Sequence, residues 1–478
     1  MNRNKPVSLV LDRTKSSTLQ EQVYEGLKWQ ISKGELRSGE PVPSSRDLAR
    51  DLGVSRNTVI AAYDRLLGEG YLESQQRSRV YVNATLCDTA FDGPAGRQSL
   101  DARTPRSQER LHQDDDSIVG PRAFRPCQPD VSLFPLAQWN RLRNRAIRRS
   151  GLGLLHYQSK FALGLTSLRR SIADYLQASR GVRCDWTQVA ITTGSQQALY
   201  FLSQLILKRG DRVMIEDPGY TGARFAFERA GAKLKPLNVD ANGVIPPKKV
   251  IPSKLIYLTP SRQFPTGACL PVARRLAMLE VAKSAGAWII EDDYDSEFRY
   301  TRPPLPSLHS LDNAGRVLYL GSMSKVLYPS LRIGYVVLPQ ELVEPFESLR
   351  LVLEDHGPLV DQATLAEFIQ CGGLYTHIRR CRKAYSQKLE VFMEAADRHR
   401  LPLNFPFTDG GMNLAGYFED PTIDAAMASR KLEDEGLDCP SLDRYSLKKP
   451  SAALVFGFTA FDHKMIQKSV AKVATVLR

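Results

Sequence analysis

The sequence predicts a large α/β domain preceded by a smaller helix-turn-helix domain. Two patterns predict this division. Within residues 18–82, apolar residues recur at helical intervals behind capping residues, and beyond about residue 122 short β-rich runs alternate with helical patterns. The length of 478 residues agrees, because one hydrophobic core rarely organises so long a chain.

The first two helices are defined by their ends. Thr18 and Glu21 have the spacing of a capping box, and the helical pattern that follows stops at Gly34. A second helix is expected between Ser44, which has an aspartate three residues later, and Gly53.

A third helix is expected to begin at Ser55. Its apolar residues fall on one face, and Arg56, Asn57 and Thr58 lie at its N-terminal end. Two helices joined across a glycine-containing turn, with polar residues leading the second, are typical of the DNA-binding helix-turn-helix.

The apolar periodicity stops between about Ala84 and Gly120. This segment is polar and cannot bury enough surface to offset the entropy of ordering it. We therefore expect a DNA-binding domain over residues 1–83, a flexible linker over 84–121 and the α/β domain over 122–478.

Alternating strands and helices fill the third segment. Strands are expected at 188–192, 212–216, 254–259, 287–291 and 316–320, with helical patterns at 194–207 and 220–231. Such alternation favours a largely parallel sheet, in which ligands bind at the carboxyl ends of the strands.

Composition excludes several classes of protein. Hydrophobic residues make up 42% of the chain, but no apolar run approaches the roughly 20 residues of a membrane span. The N-terminus lacks a secretory h-region, so we expect a cytoplasmic protein. The seven cysteines are scattered without a CxxC pair, so neither disulfides nor a metal site is expected.

The formal net charge of +13 permits nucleic acid as a partner. However, residues 1–85 carry 13 Lys and Arg against 10 Asp and Glu, a balance of only +3. Charge alone therefore does not indicate a DNA-binding N-terminus.

Two strand ends carry candidate reactive groups. Lys325 follows a strand beside Ser322 and Ser324, where an amine can attack an aldehyde if its pKa is lowered. Asp292 follows another strand, where a carboxylate can keep a ring nitrogen protonated, while Tyr294 can hydrogen-bond a ring oxygen. Taken singly, each is also typical of an ordinary surface lysine or loop carboxylate.

A phosphate site is the third candidate. Ser195 and Gln196 open a helix after a strand, where free N–H groups and the helix dipole favour an anion. Tyr220 can supply an aromatic face for a planar ring, although a tyrosine after Pro-Gly is also common in loops.

In order along the chain, these segments resemble the fold-type I enzymes of aminotransferase class I/II, which use pyridoxal 5′-phosphate (PLP). The resemblance covers residues 122–478 and implies that Lys325 carries PLP as an internal aldimine. It implies phosphate contacts from Ser195, Gln196, Ser322, Ser324 and Arg332, and ring contacts from Asp292, Tyr294 and Tyr220. Tyr157 resembles the tyrosine that reaches the phosphate from the neighbouring subunit.

The N-terminal segment resembles the GntR-type winged helix. Matching positions imply contacts to DNA from Ser44, Ser45, Arg46, Ser55, Arg56, Asn57 and Thr58. Where the family usually has a Gly-Ser-Gly hairpin, this chain has Arg77-Ser78-Arg79. Arg77 and Arg79 either enter a minor groove or lie on a solvated hairpin.

Together the two parts resemble MocR-type regulators, the GntR subfamily with an aminotransferase-like domain. The resemblance implies a head-to-tail homodimer that binds paired DNA sites, with PLP or a PLP–amine adduct changing the arrangement of its domains.

Two departures favour a regulator over a transaminase. Phe264 stands where aminotransferases usually carry asparagine, and Val455 stands where they usually carry the arginine that binds the substrate carboxylate. Arg262 is either a replacement for that arginine or an ordinary surface residue. We therefore expect no transamination of ordinary α-amino acids.

The missing arginine favours PLP itself as the signal, in control of vitamin B6 supply. An amino compound such as a γ-amino acid, taurine or a dipeptide is the alternative effector. An active aminotransferase and a PLP-free scaffold are the alternatives to a PLP-dependent regulator.

A basic run at residues 139–150 completes the predictions. As a helix, it would set three arginines opposite an apolar face: Arg141, Arg145 and Arg148 against Trp139, Leu142 and Ala146. The arginine face is either solvated or meets DNA or the partner's winged domain.

Overall fold

The computed structural model describes residues 9, 11–13, 17–75, 79–84, 122–301, 305–407, 409–448 and 451–478. The chain divides into two compact units, residues 1–116 and 117–478. The expected linker lies outside the described residues apart from Ala84.

The N-terminal unit contains the predicted helices α1 (Leu19–Ser32), α2 (Ser45–Leu52) and α3 (Arg56–Gly68). Thr18 forms the predicted capping box with Glu21, and Gly53 ends α2 in the left-handed conformation at φ 63°. The end signals read from the sequence are therefore confirmed.

A two-stranded antiparallel hairpin follows the helices. It consists of β1 (Leu72–Gln75) and β2 (Arg79–Val82), with Leu72 opposite Val82. These two residues are buried against apolar side chains of all three helices, such as Val23 and Val59. The hairpin thereby completes a winged helix-turn-helix core.

An eight-stranded mixed sheet organises the C-terminal unit. Its strands are β3 (Val189–Thr192), β4 (Arg212–Asp217), β5 (Lys233–Asp240), β6 (Gly243–Val244), β7 (Leu255–Leu258), β8 (Trp288–Asp293), β9 (Val317–Ser322) and β10 (Gly334–Val337). Their order is β3-β10-β9-β8-β7-β4-β5-β6. Strands β9, β8, β7 and β4 are parallel, as predicted, and β5, which the sequence did not indicate, is parallel to β4. Strand β10 runs antiparallel to both of its neighbours.

Helices cover this sheet and make up much of the rest of the unit. They are α4 (Leu136–Ser150), α5 (Thr166–Arg180), α6 (Ser195–Ile206), α7 (Thr221–Arg229), α8 (Val272–Ala285), α9 (Leu308–Leu311), α10 (Met323–Val326), α11 (Gln340–Leu353), α12 (Leu359–Gln370), α13 (Gly373–His399), α14 (Ala425–Asp434) and α15 (His463–Val476).

Both faces of the sheet are buried. Along β3, Val189 and Ile191 join a core with α5 and α12, whereas Ala190 between them joins a second core with α6 and α7. Side chains of a strand point alternately to its two faces, so this division places helices on both sides. Continuous apolar runs such as Leu255–Leu258 are the result.

A smaller antiparallel sheet lies near the C-terminus: β11 (Leu403–Asn404), β12 (Asn413–Phe418) and β13 (Ala453–Gly457). Its apolar face packs with α13, α14 and α15. Phe124 joins the same core, and its carbonyl accepts a hydrogen bond from Gly457 N. The segment that opens the described C-terminal unit is thereby fixed to this sheet.

Helix α4 contains the basic run. Trp139, Leu142 and Ala146 are buried, as the helical spacing predicts. The three predicted arginines are exposed, and Arg145 forms an ion pair of 2.6 Å with Glu367 on α12.

Two classes of feature are missing from the part of the chain that the structure describes. Its helices include none long and apolar enough to cross a membrane. Its His, Cys, Asp and Glu side chains form no group of three that could hold a metal ion.

Candidate functional site

A cavity of about 310 Å³ lies at the carboxyl ends of the parallel strands. The fold predicts a ligand site there. The cavity is lined by residues from well-separated regions of the chain: Arg125, Pro126, Cys127, Ser195, Tyr220, Thr221, Tyr257, Thr259, Phe264, Asp292, Tyr294, Ser322, Lys325, Asp438, Pro440, Arg444 and Tyr445.

Lys325 lies on α10, the one-turn helix that follows β9. Its Nζ donates a hydrogen bond of 3.0 Å to the carbonyl oxygen of Cys127. Asn413 fixes that cysteine by accepting from its backbone N–H at 2.6 Å and donating to its Sγ at 3.2 Å. The amine is thus held in the cavity by a loop fastened to β12.

Asp292 lies on β8 and is almost fully buried. Tyr257 donates a hydrogen bond of 2.6 Å to its Oδ2, whereas its Oδ1 has no partner among the described residues. Burial raises the pKa of Asp292 to about 7, although Tyr257 and Lys325 act in the opposite direction. The free oxygen is a ready acceptor for a ligand N–H.

A candidate anion site lies where α6 begins. Gly194 adopts φ 119° there, and a Cβ atom at this position would lie 3.1 Å from Nη2 of Arg332. The guanidinium is therefore packed beside the free N–H groups of the first turn of α6, where Ser195 lines the cavity. Ser322 also lines the cavity, and the buried Oγ of Ser324 has no partner among the described residues.

Gln196 is directed elsewhere. Its Nε2 donates to the carbonyl of Gly222 at 2.9 Å, and its Oε1 accepts from the Tyr220 hydroxyl at 3.3 Å. The side chain joins α6 to the start of α7. Gln196 and Arg332 are both outside the set of residues that line the cavity, so their contacts to a phosphate stay predictions.

Phe264 lies among three tyrosines of the cavity wall. Its ring packs edge-to-face with Tyr220, Tyr294 and Tyr445, with centroid distances of 5.9, 5.8 and 5.2 Å. Where aminotransferases usually carry a hydrogen-bonding asparagine, this chain has an aromatic ring that fixes the orientation of its neighbours.

The cavity is also lined by two arginines that the sequence analysis did not single out. Arg444 lies on the turn Leu442–Tyr445, which packs against β13, and Arg125 lies in the segment after the linker. Val455 itself is buried in the apolar core beside that turn. Guanidinium groups are therefore present, but they come from positions about 10 residues and about 330 residues away along the chain. That of Arg125 lies 3.8 Å from Asp438, which also lines the cavity.

Arg262 is not the anion anchor that the sequence suggested. It is buried and donates to the carbonyl of Asn413 at 3.0 Å, with Asp295 and Asp409 within 4.0 Å. Because it does not line the cavity and already has acidic partners, we assign it to holding the start of β12.

Tyr157 does not line the cavity of its own chain. It is 90% exposed, and its ring centroid lies 6.2 Å from that of His356. It therefore projects from the surface of the C-terminal unit.

The candidate DNA-contacting residues of the N-terminal unit lie together. Ser44 and Ser55 are the N-caps of α2 and α3, and Arg56 Nε donates to Ser45 Oγ at 3.3 Å, which joins the two helix starts. Ser44, Arg46, Ser55, Arg56 and Asn57 are exposed, and Ser45 and Thr58 are half-buried. Arg79 is exposed on β2, whereas Arg77 lies outside the described residues.

Comparisons with known proteins bear on both units. The family described as "Bacterial regulatory proteins, gntR family" matches residues 19–82, and "Aminotransferase class I and II" matches residues 156–354. The probable rhizopine catabolism regulatory protein MocR of Rhizobium meliloti is 38% identical over 470 residues, covering 97% of this chain and 94% of that protein. The pyridoxine biosynthesis regulator PdxR of Corynebacterium glutamicum is 28% identical over 480 residues, covering 98% and 97%.

Solved structures share the fold of the C-terminal unit. LysN, the α-aminoadipate aminotransferase of Thermus thermophilus complexed with N-(5′-phosphopyridoxyl)-L-leucine, has a TM-score of 0.67 and 27% identity, covering 74% of this chain and 91% of that chain.

Proposed function

The chain belongs to the MocR-type subfamily of GntR transcription regulators, and from this premise we propose that its aminotransferase-like unit binds PLP at Lys325 and thereby controls DNA binding. We keep the proposed boundaries of 1–83 for the DNA-binding domain, 84–121 for the linker and 122–478 for the effector domain. The unpaired Oδ1 of Asp292, in the same cavity as the Lys325 amine, is the observation that supports PLP most strongly.

The other residues of the cavity fit the same cofactor. A phosphate group suits the start of α6 beside Arg332, where free N–H groups and a guanidinium converge. Ser195 and Ser322 add hydroxyl groups, and Tyr220 offers its ring as a wall for a planar group.

Bound PLP would supply an aldehyde that captures amines and a ring that withdraws electrons from them. Asp292 would accept the N–H of the protonated ring nitrogen and keep the proton there. Lys325 would supply the amine to which PLP is attached, and its hydrogen bond to the carbonyl oxygen of Cys127 holds that amine in the cavity.

We propose an effector that is an amine with an anionic group. Arg444 supports this assignment, because it lines the cavity together with Lys325 and can bind a carboxylate or sulfonate. Arg125 also lines the cavity, but its guanidinium lies 3.8 Å from the carboxylate of Asp438. The sequence favoured PLP alone because no arginine stands at the usual carboxylate-binding position, and Arg444 removes that reason. PLP as the sole signal remains the second candidate, supported by the likeness to PdxR.

We infer a regulatory rather than an enzymatic role for the cavity. The replacement of the usual asparagine by Phe264 and of the usual arginine by Val455 supports this, as does the naming of full-length relatives as regulators. An assay of amino-group transfer with a panel of amino acids and 2-oxo acids tests it. Sustained turnover would instead establish the aminotransferase alternative.

A head-to-tail homodimer is part of the proposal. Leu152 and Leu155 on the turn Gly151–Leu155 are 70% and 64% exposed, and the adjacent Tyr157 is 90% exposed. Exposed apolar side chains clustered in this way favour burial in a subunit interface. The proposed role of Tyr157 is to reach the phosphate in the partner's cavity.

The test of PLP binding is the absorbance of lysine-bound PLP. We expect the band in wild-type protein incubated with PLP and its loss in Lys325→Ala. Lys283→Ala is the control and should keep the band, because Lys283 is exposed near the end of α8. Retention of the band in Lys325→Ala would refute the assignment of the attachment site.

A further inference from the structure

The carboxylate of Asp292 is held by a residue that no sequence motif indicated. Tyr257 lies on β7, the strand next to β8, and its hydroxyl donates to Asp292 Oδ2 at 2.6 Å. Since Oδ1 is unpaired among the described residues, the phenol occupies one oxygen and leaves the other for a ligand.

The tyrosine has little freedom to move. Its backbone pairs with Ile290 of β8, and its ring packs against that of Phe227 with a centroid distance of 6.0 Å. The side chain is fully buried. A buried hydroxyl needs a hydrogen-bond partner, and the partner in this structure is the carboxylate of Asp292.

We propose that Tyr257 is a positioning residue for the cofactor, which fixes the Asp292 carboxylate with Oδ1 toward the ring nitrogen. The inference rests on the proposed function, because it requires PLP in the cavity. A tyrosine is suited to this role because burial keeps its pKa well above the ordinary value, so it remains a donor at neutral pH.

Several ionisable groups surround this carboxylate or act on it electrostatically. They are Asp293 on its own strand, Glu216 on β4, Tyr257 on β7, Lys325 on α10, and the cavity-lining Tyr220, Tyr294 and Cys127. Burial raises the pKa of Asp292 to about 7, and the hydrogen bond from Tyr257 lowers it. Removal of the phenol hydroxyl should therefore raise this pKa further, so that the carboxylate becomes protonated at a higher pH.

The experiment is a PLP titration of Tyr257→Phe, which keeps the ring and deletes the hydroxyl. We expect the dissociation constant of PLP at pH 7 to rise about tenfold, since a hydrogen bond to a charged group is removed. The pH midpoint of PLP binding should rise by about one unit, because a tenfold effect on ionisation equals one pKa unit.

Tyr319→Phe is the matched control. Tyr319 is also buried, and its hydroxyl donates to Asp293, the carboxylate next along β8. We expect its PLP dissociation constant to stay within about twofold of the wild-type value. An equal loss in both variants would overturn the proposal, because it would indicate a general need for buried phenols around the strand.

A double-mutant cycle with Asp292→Asn isolates the contact. In the Asp292→Asn background, Tyr257→Phe should change PLP affinity by less than about twofold, since there is no charge left to stabilise. A tenfold loss in that background, or wild-type affinity and pH midpoint in Tyr257→Phe alone, would overturn the role of Tyr257. If wild-type protein takes up no PLP, the proposed function is overturned as well. If PLP uptake depends on Lys325 but is unchanged in Tyr257→Phe, only this inference is overturned.

Discussion

Arg444 gives the cavity a guanidinium that β13 does not provide, whereas the guanidinium of Arg125 is paired with Asp438. Arg444 is exposed and lies beside Tyr445, one of the tyrosines that contact Phe264. An effector with an acidic group would thus meet a guanidinium on the side of the cavity formed by the C-terminal segment.

Replacement of that guanidinium should weaken the response to the effector. We expect Arg444→Ala to raise the concentration of an acidic amine needed to change the PLP spectrum by about 10-fold or more, because a charge-assisted hydrogen bond is lost. Arg430→Ala on α14 is the matched control, since Arg430 is outside the cavity lining. Equal sensitivity of the two variants would contradict the role of Arg444.

Arg56 is the corresponding residue of the DNA-binding unit. If Arg56 contacts a phosphate, Arg56→Ala should weaken DNA binding for all sequences. The slope of log K against the logarithm of the salt concentration should become shallower by about one, as expected for the loss of one phosphate contact. Arg50→Ala, which removes an exposed arginine paired with Asp47 on α2, should have a smaller effect. Salt-independent binding by wild-type protein would exclude the proposed phosphate contacts.

Residues in strand-end motifs could be predicted from sequence, whereas residues brought in by tertiary structure could not. Lys325, Asp292 and Ser195 follow strands or open a helix, and the structure places all three in one cavity. Arg125 and Tyr257 have no such local signal, because the chain segments that contain them are brought to the cavity only when the two sheets form.

The ends of α1, α2 and α3 followed from local rules because their caps lie within four residues of each helix start. The antiparallel direction of β10 and the three-stranded C-terminal sheet did not follow. Gly334–Val337 pairs with strands about 15 and about 145 residues away, and strand direction depends on such distant partners.

The N-cap of α3 combines a structural and a proposed binding role. Ser55 Oγ accepts from Thr58 N at 3.1 Å, so Ser55→Ala should destabilise the start of α3 by about 1 kcal/mol. Hydrogen exchange of the α3 amides measures this loss. Ser55→Asn should preserve the cap, and similar exchange rates in both variants would show that the cap contributes little.

The proposed dimer would complete each cavity with a residue of the partner subunit. The exposed Tyr157 and the leucines beside it predict a dimer in which each subunit contributes Tyr157 to the partner's cavity. Sedimentation should therefore show a dimer of the chain.

Hybrid dimers test this exchange directly. Tyr157→Phe should bind PLP more weakly, and Lys325→Ala should not attach it. Mixing the two should restore one native cavity per hybrid, because Tyr157 of one chain meets Lys325 of the other. PLP affinity that stays at the Tyr157→Phe level in confirmed hybrids would contradict a contribution from the partner.

The most direct test of the whole account couples the two units. DNA duplexes are first selected from a random pool by the wild-type protein, and their affinity is then measured while PLP is titrated. We predict that PLP changes the affinity of wild-type protein, and that Lys325→Ala, folded and able to bind DNA, does not respond. An equal response in Lys325→Ala would contradict control of DNA binding through this lysine. The same conclusion would follow if wild-type protein that has taken up PLP showed no response, either with PLP alone or with any of a panel of acidic amines.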